Sequence, residues 1–165
     1  MASVTFKKDN VDVVDMVLTP SDFVNGVWET DELNTLNATR VTVNARYTSL
    51  TPDQASQTVG YRLQAGIYGE DDGGEYEVLC KQFTPTFSSE NAEIRRMIVT
   101  SGPTAYEPNV QHIIPGPLGN ELVEVSVEDD AIPDKVKVLL LLEDFPISGG
   151  APFQSVTLTL RGKVN

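Results

Sequence analysis

Alternation of apolar and polar residues is the feature of this sequence that most restricts its fold. In the segment RVTVNARYT, residues Val41, Val43, Ala45 and Tyr47 occupy every second position, and polar residues occupy the positions between them. Successive side chains of a β-strand point to opposite faces, so this period of two predicts a strand with one buried face. A helix would need apolar residues three and four positions apart, and that pattern is almost absent from the chain.

The same period recurs along the chain and predicts eight or nine strands. The segments concerned are 3–7, 11–18, 40–47, 61–67, 76–83, 93–101, 123–128, 136–143 and 155–161. β-Branched residues are abundant in them, and Gly, Pro, Asp and Asn separate them. Short helical turns are expected only at Thr19-Pro20-Ser21-Asp22 and Thr51-Pro52-Asp53-Gln54, where threonine precedes proline as at a helix start.

These segments predict one all-β domain over residues 1–165. Parallel strands need long crossover connections, so strands without intervening helices predict antiparallel pairing. Strands with one apolar face bury it most simply between two sheets, which predicts an antiparallel β-sandwich. The pattern leaves jelly-roll and immunoglobulin-like topologies both open, with a closed barrel as the alternative.

Residues 102–120, GPTAYEPNVQHIIPGPLGN, contain four prolines and three glycines and are expected to form a long loop. A loop of this length in a compact domain is usually functional, and its apolar residues need a surface to pack on. We therefore expect an interface there, involving the residues Tyr106, Val110, His112, Ile113, Ile114 and Leu118.

The segment KVKVLLLLED predicts a strand that is apolar on both faces. Val136, Val138 and Leu140 fall on the core face, whereas Leu139 and Leu141 fall on the other face. A strand buried on both faces reads as a continuous apolar run, so something is expected to cover these two leucines. The cover is either another segment of this chain, such as the predicted loop, or a neighbouring molecule.

The residue types needed for catalysis are scarce, and we expect no enzyme, cofactor or metal site. Nucleophilic catalysis needs a base beside Ser or Cys, and zinc needs three or four Cys and His ligands, yet the chain has one histidine, His112, and one cysteine, Cys80. Cys80 lies in the predicted strand VLCKQF and is expected to be buried. The acidic segment 70–75 contains Asp-Gly-Gly and predicts a solvated hairpin tip, with calcium binding as the less favoured reading.

Charge and hydropathy exclude several partners. The chain has 24 acidic and 12 basic residues, a net charge of −12, which repels nucleic acids and anionic membranes. No segment approaches the roughly 20 apolar residues of a membrane span, and MASVTFKKDN lacks the apolar core of a signal peptide. We therefore expect a protein that is made in the cytoplasm and not secreted by a signal peptide.

A carbohydrate-binding module is the main alternative to an assembly protein. Sugar sites stack rings on exposed aromatic side chains, and Trp28 with Tyr68 or Tyr106 would have to form one flat platform.

In overall character the chain resembles the small capsid decoration, or cement, proteins and other accessory virion proteins of tailed bacteriophages. The start MASVTFKK, the set of strands and the segment TSGPTAYEPNVQHIIPGPLGNE carry this resemblance. It implies a non-enzymatic virion protein whose partners are capsid subunits, with a dimer or trimer as the usual oligomer. Tyr106, Ile113, Ile114 and Leu118 would then lose accessible surface in the assembly, together with Leu139 and Leu141.

Overall fold

A computed structural model describes residues 2–51, 63–83, 93–102, 110–116, 119–128, 131–142 and 155–165. The described chain is all-β apart from one 3₁₀ helix, Pro20–Asp22. Its strands are β1 (Ala2–Thr5), β2 (Lys7–Lys8), β3 (Val11–Asp12), β4 (Met16–Leu18), β5 (Val27–Glu29), β6 (Leu33–Asn34), β7 (Arg40–Thr51), β8 (Leu63–Glu70), β9 (Tyr76–Phe83), β10 (Glu93–Ser101), β11 (Val110–Gly116), β12 (Gly119–Glu128), β13 (Lys135–Leu142) and β14 (Ser155–Val164).

The strands form two large sheets and one small one. The seven-stranded sheet has the order β1-β14-β7-β10-β12-β11, with β4 also paired to β14. The five-stranded sheet has the order β5-β13-β8-β9, with β6 also paired to β13, and β2 and β3 form a separate two-stranded hairpin. Neither large sheet closes on itself among the described strands, so the barrel alternative is not seen there.

The prediction of purely antiparallel pairing is wrong, because β10 and β12 pair in parallel from Arg95↔Leu122 to Ser101↔Glu128. The expectation rested on the absence of a helical crossover. In the structure a strand makes the return instead: β11 is antiparallel to β12 and lies on its far side. Strand β12 therefore runs in the same direction as β10, and the sheet contains both parallel and antiparallel pairs.

One hydrophobic core contains buried residues of both large sheets. Alternate residues of β7 and β14 from the seven-stranded sheet share a cluster with alternate residues of β8 and β13 from the five-stranded sheet. Hydrogen bonds also join the sheets at β9: Gln82 Nε2 donates to the Arg96 carbonyl at 3.0 Å, and Cys80 Sγ donates to the Glu124 carbonyl at 3.7 Å. The predicted alternation of β7, β13 and β14 is confirmed by these burial patterns.

The predicted core face of β12 is buried, but in a second cluster. Val123 and Val125 pack with Ile98, apart from the main core. Ile98 lies between Met97 and Val99, which belong to the main core, so this second cluster is on the opposite face of β10. The sequence correctly indicates which residues of β12 are buried. It does not indicate that they lie on the face of the sheet that points away from the main core.

Part of the predicted loop at 102–120 is a strand, because Val110–Gly116 forms β11 and pairs along β12. Pro115 lies in this strand, at the end of the sheet's pairing order among the described strands, and proline within a sheet is largely confined to such edge strands. The first predicted helical turn is confirmed: Thr19 precedes the 3₁₀ helix, and the Thr19 N–H donates to Asp22 Oδ2 at 2.7 Å. The second turn, at 51–54, lies largely outside the described residues.

Candidate functional site

Strand β13 carries the two leucines that the sequence singles out. Val136, Val138 and Leu140 are fully buried, as predicted. Leu139 and Leu141 lie on the other face and are half-buried, with part of each side chain open to solvent. The prediction that these two leucines face away from the core is therefore confirmed.

The neighbouring strands place further apolar side chains beside the two leucines. Residues that pair directly in antiparallel strands point to the same face. Leu141 pairs with Val27 of β5, and Tyr68 of β8 pairs with Val78 of β9, which is 47% exposed. We call the outward-facing group Val27, Tyr68, Val78, Leu139 and Leu141 the leucine surface.

Gly66 gives the ring of Tyr68 room to lie along the sheet. A Cβ atom at position 66 would be 2.6 Å from Tyr68 Cε2, closer than such atoms approach, and 3.1 Å from the Cys80 carbonyl oxygen. Gly66 also pairs with Leu139 of β13. An aromatic ring over a strand glycine covers exposed backbone and holds the ring in place. Tyr68 therefore contributes an oriented ring beside Leu139.

A network of charged side chains borders the leucine surface on the same face. Lys137 Nζ is 2.9 Å from Glu29 Oε2 and lies 4.0 Å from the centroid of the Tyr76 ring. The Tyr76 hydroxyl donates to Glu32 Oε1 at 2.6 Å. Lys135 Nζ lies 3.6 Å from Glu32 Oε2. We call Glu29, Glu32, Tyr76, Lys135 and Lys137 the charged network.

The charged network changes the protonation behaviour of its members. The hydrogen bond from Tyr76 is the main cause that lowers the pKa of Glu32, and the positive charge of Lys135 adds to it. Burial is the main cause that raises the pKa of Tyr76, with further contributions from the hydrogen bond to Glu32 and from nearby carboxylates. Near neutral pH Glu32 is therefore ionised, and it accepts the hydrogen bond of a neutral Tyr76 and is paired with Lys135.

The other predicted interface residues are distributed differently. Val110, His112, Ile113 and Ile114 lie in β11, which belongs to the seven-stranded sheet, whereas the leucine surface belongs to the five-stranded sheet. Tyr106 and Leu118 lie outside the described residues. The two parts of the predicted interface are therefore not on one sheet.

The platform predicted for a carbohydrate site is not formed by Trp28 and Tyr68. Trp28 is 3% exposed and pairs with Leu140, so its ring is part of the main core. Tyr68 points to the outer face, opposite to the buried Ile67. The exposed Trp28 that this alternative requires is not found, because strand β5 places Trp28 on the inner face. A single short strand does not indicate such a position by its sequence.

The described residues contain few groups suited to catalysis or metal binding. Cys80 is buried, and burial is the main cause that raises its pKa to about 12, so it is a neutral thiol at physiological pH. No group of three or more His, Cys, Asp or Glu side chains in the described ranges is arranged to hold a metal ion. In the same part of the chain, no helix is long and apolar enough to cross a membrane.

Sequence reasoning missed the charged network and the role of Gly66. The lysines of KVKV were visible as the outer positions of β13, but their partners come from strands and connections far away in sequence. Gly66 in the segment LQAGIYG was a visible signal, because a glycine inside a strand often marks a close approach by another group.

Comparison of the chain with protein-family models, with curated proteins and with solved structures finds no match.

Proposed function

We propose that this protein is a non-enzymatic virion structural protein of the capsid decoration or cement type, which stabilises an assembly by protein–protein contacts. Its location would be the virion, and its partners would be capsid subunits and other copies of itself. The observation that carries the proposal is the leucine surface: a central strand leaves Leu139 and Leu141 partly exposed beside the ring of Tyr68. Apolar groups gathered on the face of a strongly acidic protein are typical of a docking surface.

The fold that we propose for this role is a β-sandwich of the two large sheets. The proposal includes both a jelly-roll-like and an immunoglobulin-like order of the strands. The shared core between the sheets and the hydrogen bonds from β9 to β10 and β12 support it. A rigid two-layer frame suits a protein that resists deformation of a larger shell, because its outer faces are held by the core beneath them.

In such a contact the leucine surface would contribute affinity, and the charged network would contribute selectivity. Burying the exposed remainder of Leu139 and Leu141 is worth roughly 1 kcal/mol each, since part of each side chain is already buried. Lys137 and Glu29 form an ion pair at the border, where charges select the partner and its orientation more than they add affinity. Small contacts of this kind become strong when many copies bind one lattice.

Binding to capsid particles tests the proposal. Particles of the phage that carries the gene, assembled without this protein, would be mixed with the purified chain and sedimented at increasing protein concentrations. The double variant Leu139→Thr with Leu141→Thr keeps β-forming residues on the strand but removes apolar surface. We expect about thirtyfold weaker binding of this variant, the equivalent of roughly 2 kcal/mol.

The matched control is Val11→Thr with Val17→Thr, two exposed valines outside the leucine surface. Its binding is expected to equal that of the unmodified chain, and unfolding midpoints establish that both double variants are folded. Equal binding by the leucine variant, or no binding of the unmodified chain to the particles, would contradict the proposal. A hydrolytic activity abolished by changing one carboxylate would replace it with an enzyme.

A further inference from the structure

The outer face of the seven-stranded sheet contains a concavity with an excess of positive charge. Its volume is about 240 Å³, and its lining includes Asn44 and Arg46 of β7, Thr159 and Arg161 of β14, and Asp15 of the turn that precedes β4. This face belongs to the other sheet from the one that carries the leucine surface.

The strand register fixes the arrangement of the polar groups. Arg46 pairs with Thr159, and Asn44 pairs with Arg161, so these four side chains form a two-by-two block on neighbouring strands. Arg96 of β10 donates from Nε to Asn44 Oδ1 at 2.7 Å. Because this bond uses the amide oxygen, the Nδ2 group of Asn44 is directed as a donor, next to two arginine side chains.

One wall of the concavity is also fixed. The Asp15 N–H donates to Thr159 Oγ1 at 2.8 Å, and the Thr159 hydroxyl donates to Asp15 Oδ1 at 3.3 Å. These bonds hold the turn against β14. The side chains on β7 and β14 and the bonded turn at Asp15 are therefore held in place before a ligand arrives. Such preorganisation lowers the entropy lost on binding.

Arg46 and Arg161 have no intramolecular ion pair in the part of the chain that the structure describes, although acidic residues outnumber basic residues two to one. Among the lining side chains, two guanidinium groups and the carboxylate of Asp15 leave an excess of one positive charge, and Arg96, which is not part of the lining, is bonded to Asn44. Asp15 repels any anion, but it repels a doubly charged phosphate more strongly than a singly charged carboxylate, so the lining favours the carboxylate. The volume is below the roughly 300–1,000 Å³ of small-molecule sites, so it fits a side chain better than a larger ligand.

The chain itself presents a matching carboxylate donor at the tip of the β8–β9 hairpin. Asp72 and Glu75 are exposed there and take part in no ion pair within the described ranges. The tip is ordered by Asp71, whose Oδ1 accepts from the N–H groups of Gly73 at 2.8 Å and Glu75 at 2.9 Å. The tip extends from the five-stranded sheet, whereas the concavity lies on the outer face of the seven-stranded sheet.

We propose that the concavity binds a carboxylate from the 71–75 hairpin tip of a second copy of this chain, with Arg46, Arg161 and Asn44 as the donors. Arginine is suited to this contact because its planar group donates two parallel hydrogen bonds to a carboxylate. A contact between two different surfaces of identical chains is head-to-tail, and it produces a ring or a filament.

Charge reversal in both partners tests this contact. The site variant carries Arg46→Glu with Arg161→Glu, and the tip variant carries Asp72→Lys with Glu75→Lys. Sedimentation equilibrium at low salt would measure the self-association of each variant and of their equimolar mixture. We expect each variant alone to associate at least tenfold more weakly than the unmodified chain, and the mixture to recover heterodimers because opposite charges meet again.

The matched control is Lys7→Glu with Lys81→Glu, which changes the net charge as much as the site variant does but alters exposed lysines away from the concavity. It should associate like the unmodified chain. An unmodified chain that stays monomeric at millimolar concentration, a mixture that fails to associate while both variants are folded, or equal weakening by the control would overturn the proposal. Saturable acetate binding at Arg46 and Arg161 by a monomeric chain would also overturn it, by assigning the site to free carboxylates.

Discussion

The ring of Tyr68 lies over Gly66, two residues before it on the same strand, at a distance that leaves no room for a Cβ atom there. The same glycine pairs with Leu139, so the packing of Tyr68 and the exposure of the leucine surface are parts of one arrangement. The orientation of the ring therefore depends on a residue that has no side chain of its own.

Gly66→Ala is expected to lower the free energy of unfolding by about 1–3 kcal/mol, the usual cost of overpacking. The new methyl group would meet Tyr68 Cε2 at 2.6 Å and the Cys80 carbonyl oxygen at 3.1 Å. In a Tyr68→Ala background the cost should fall by about 1 kcal/mol, because one of the two clashes is gone. Urea unfolding of the two single variants and the double variant measures this coupling.

Gly73→Ala is the matched control, since Gly73 is exposed at the hairpin tip and the methyl group would approach only Asp71 Oδ1, at 3.3 Å. It should change the free energy of unfolding by less than about 0.5 kcal/mol. Strictly additive effects of Gly66→Ala and Tyr68→Ala would contradict the described packing.

Tyr76→Phe is expected to raise the pKa of Glu32 toward its usual value of 4.5, because the hydrogen bond from Tyr76 is the main cause of its lowering. Lys135→Met should also raise it, since this change removes both the charge and the hydrogen bond of Lys135. Carboxyl carbon chemical shifts followed by NMR as a function of pH give both values. An unchanged pKa of Glu32 in Tyr76→Phe would show that the hydroxyl contact is absent in solution.

The fold class was predictable because burial follows the local period of two. Val41, Val43 and Ala45 are buried as their alternation indicates, and the same holds for the core face of β13. Pairing direction was not predictable, because an alternating strand such as β12 has the same pattern whether its neighbour is parallel or antiparallel. Strand β11 was hidden by Pro115 and Gly116, which an outer strand tolerates, and by the prolines and glycines beside it in the sequence, which resemble a loop.

The candidate site was predictable only where one strand defines it. Leu139 and Leu141 follow from the alternation within β13, but their neighbours Val27 and Val78 depend on which strands flank β13 and β8. The burial of Trp28 could not be predicted, because its three-residue strand has too few alternating positions to indicate which face points inward. The arginine concavity likewise joins β7 and β14, strands more than 100 residues apart.

Cys80 is expected to resist alkylation while the protein is folded. Raising the pKa of the thiol from 9.0 to about 12 lowers the reactive thiolate fraction at pH 8 about a thousandfold, and burial blocks access as well. Iodoacetamide labelling followed by mass spectrometry should therefore be at least a hundredfold slower in buffer than in denaturant. Similar rates in both conditions would contradict the burial of β9 against the other sheet.

The hairpin of β2 and β3 is held by one carboxylate. Asp9 and Asn10 at its tip have positive φ angles of 50° and 65°, and their N–H groups donate to Asp31 Oδ1 at 2.9 Å and Oδ2 at 2.8 Å. The hydrogen bond from Asn10 is the main cause that lowers the pKa of Asp31 from its usual value of 3.8. The ionised carboxylate is therefore the form that stabilises the fold.

Asp31→Asn is expected to lower the free energy of unfolding by about 1 kcal/mol at pH 7, below the usual value for hydrogen bonds to a charged group, because the site is exposed to water. A carboxyl whose pKa is lower in the folded state stabilises the protein above its unfolded pKa, and this stabilisation disappears as the pH falls through the folded pKa. The difference between Asp31→Asn and the unmodified chain should therefore shrink as the pH falls below the usual carboxyl pKa of 3.8, and it should vanish once the pH is below the lowered pKa of Asp31 in the folded protein. Urea unfolding across this range measures it, with Asp12→Asn on the same hairpin as the control. A difference that stays constant with pH would mean that Asp31 stabilises the hairpin by packing and not by its charge.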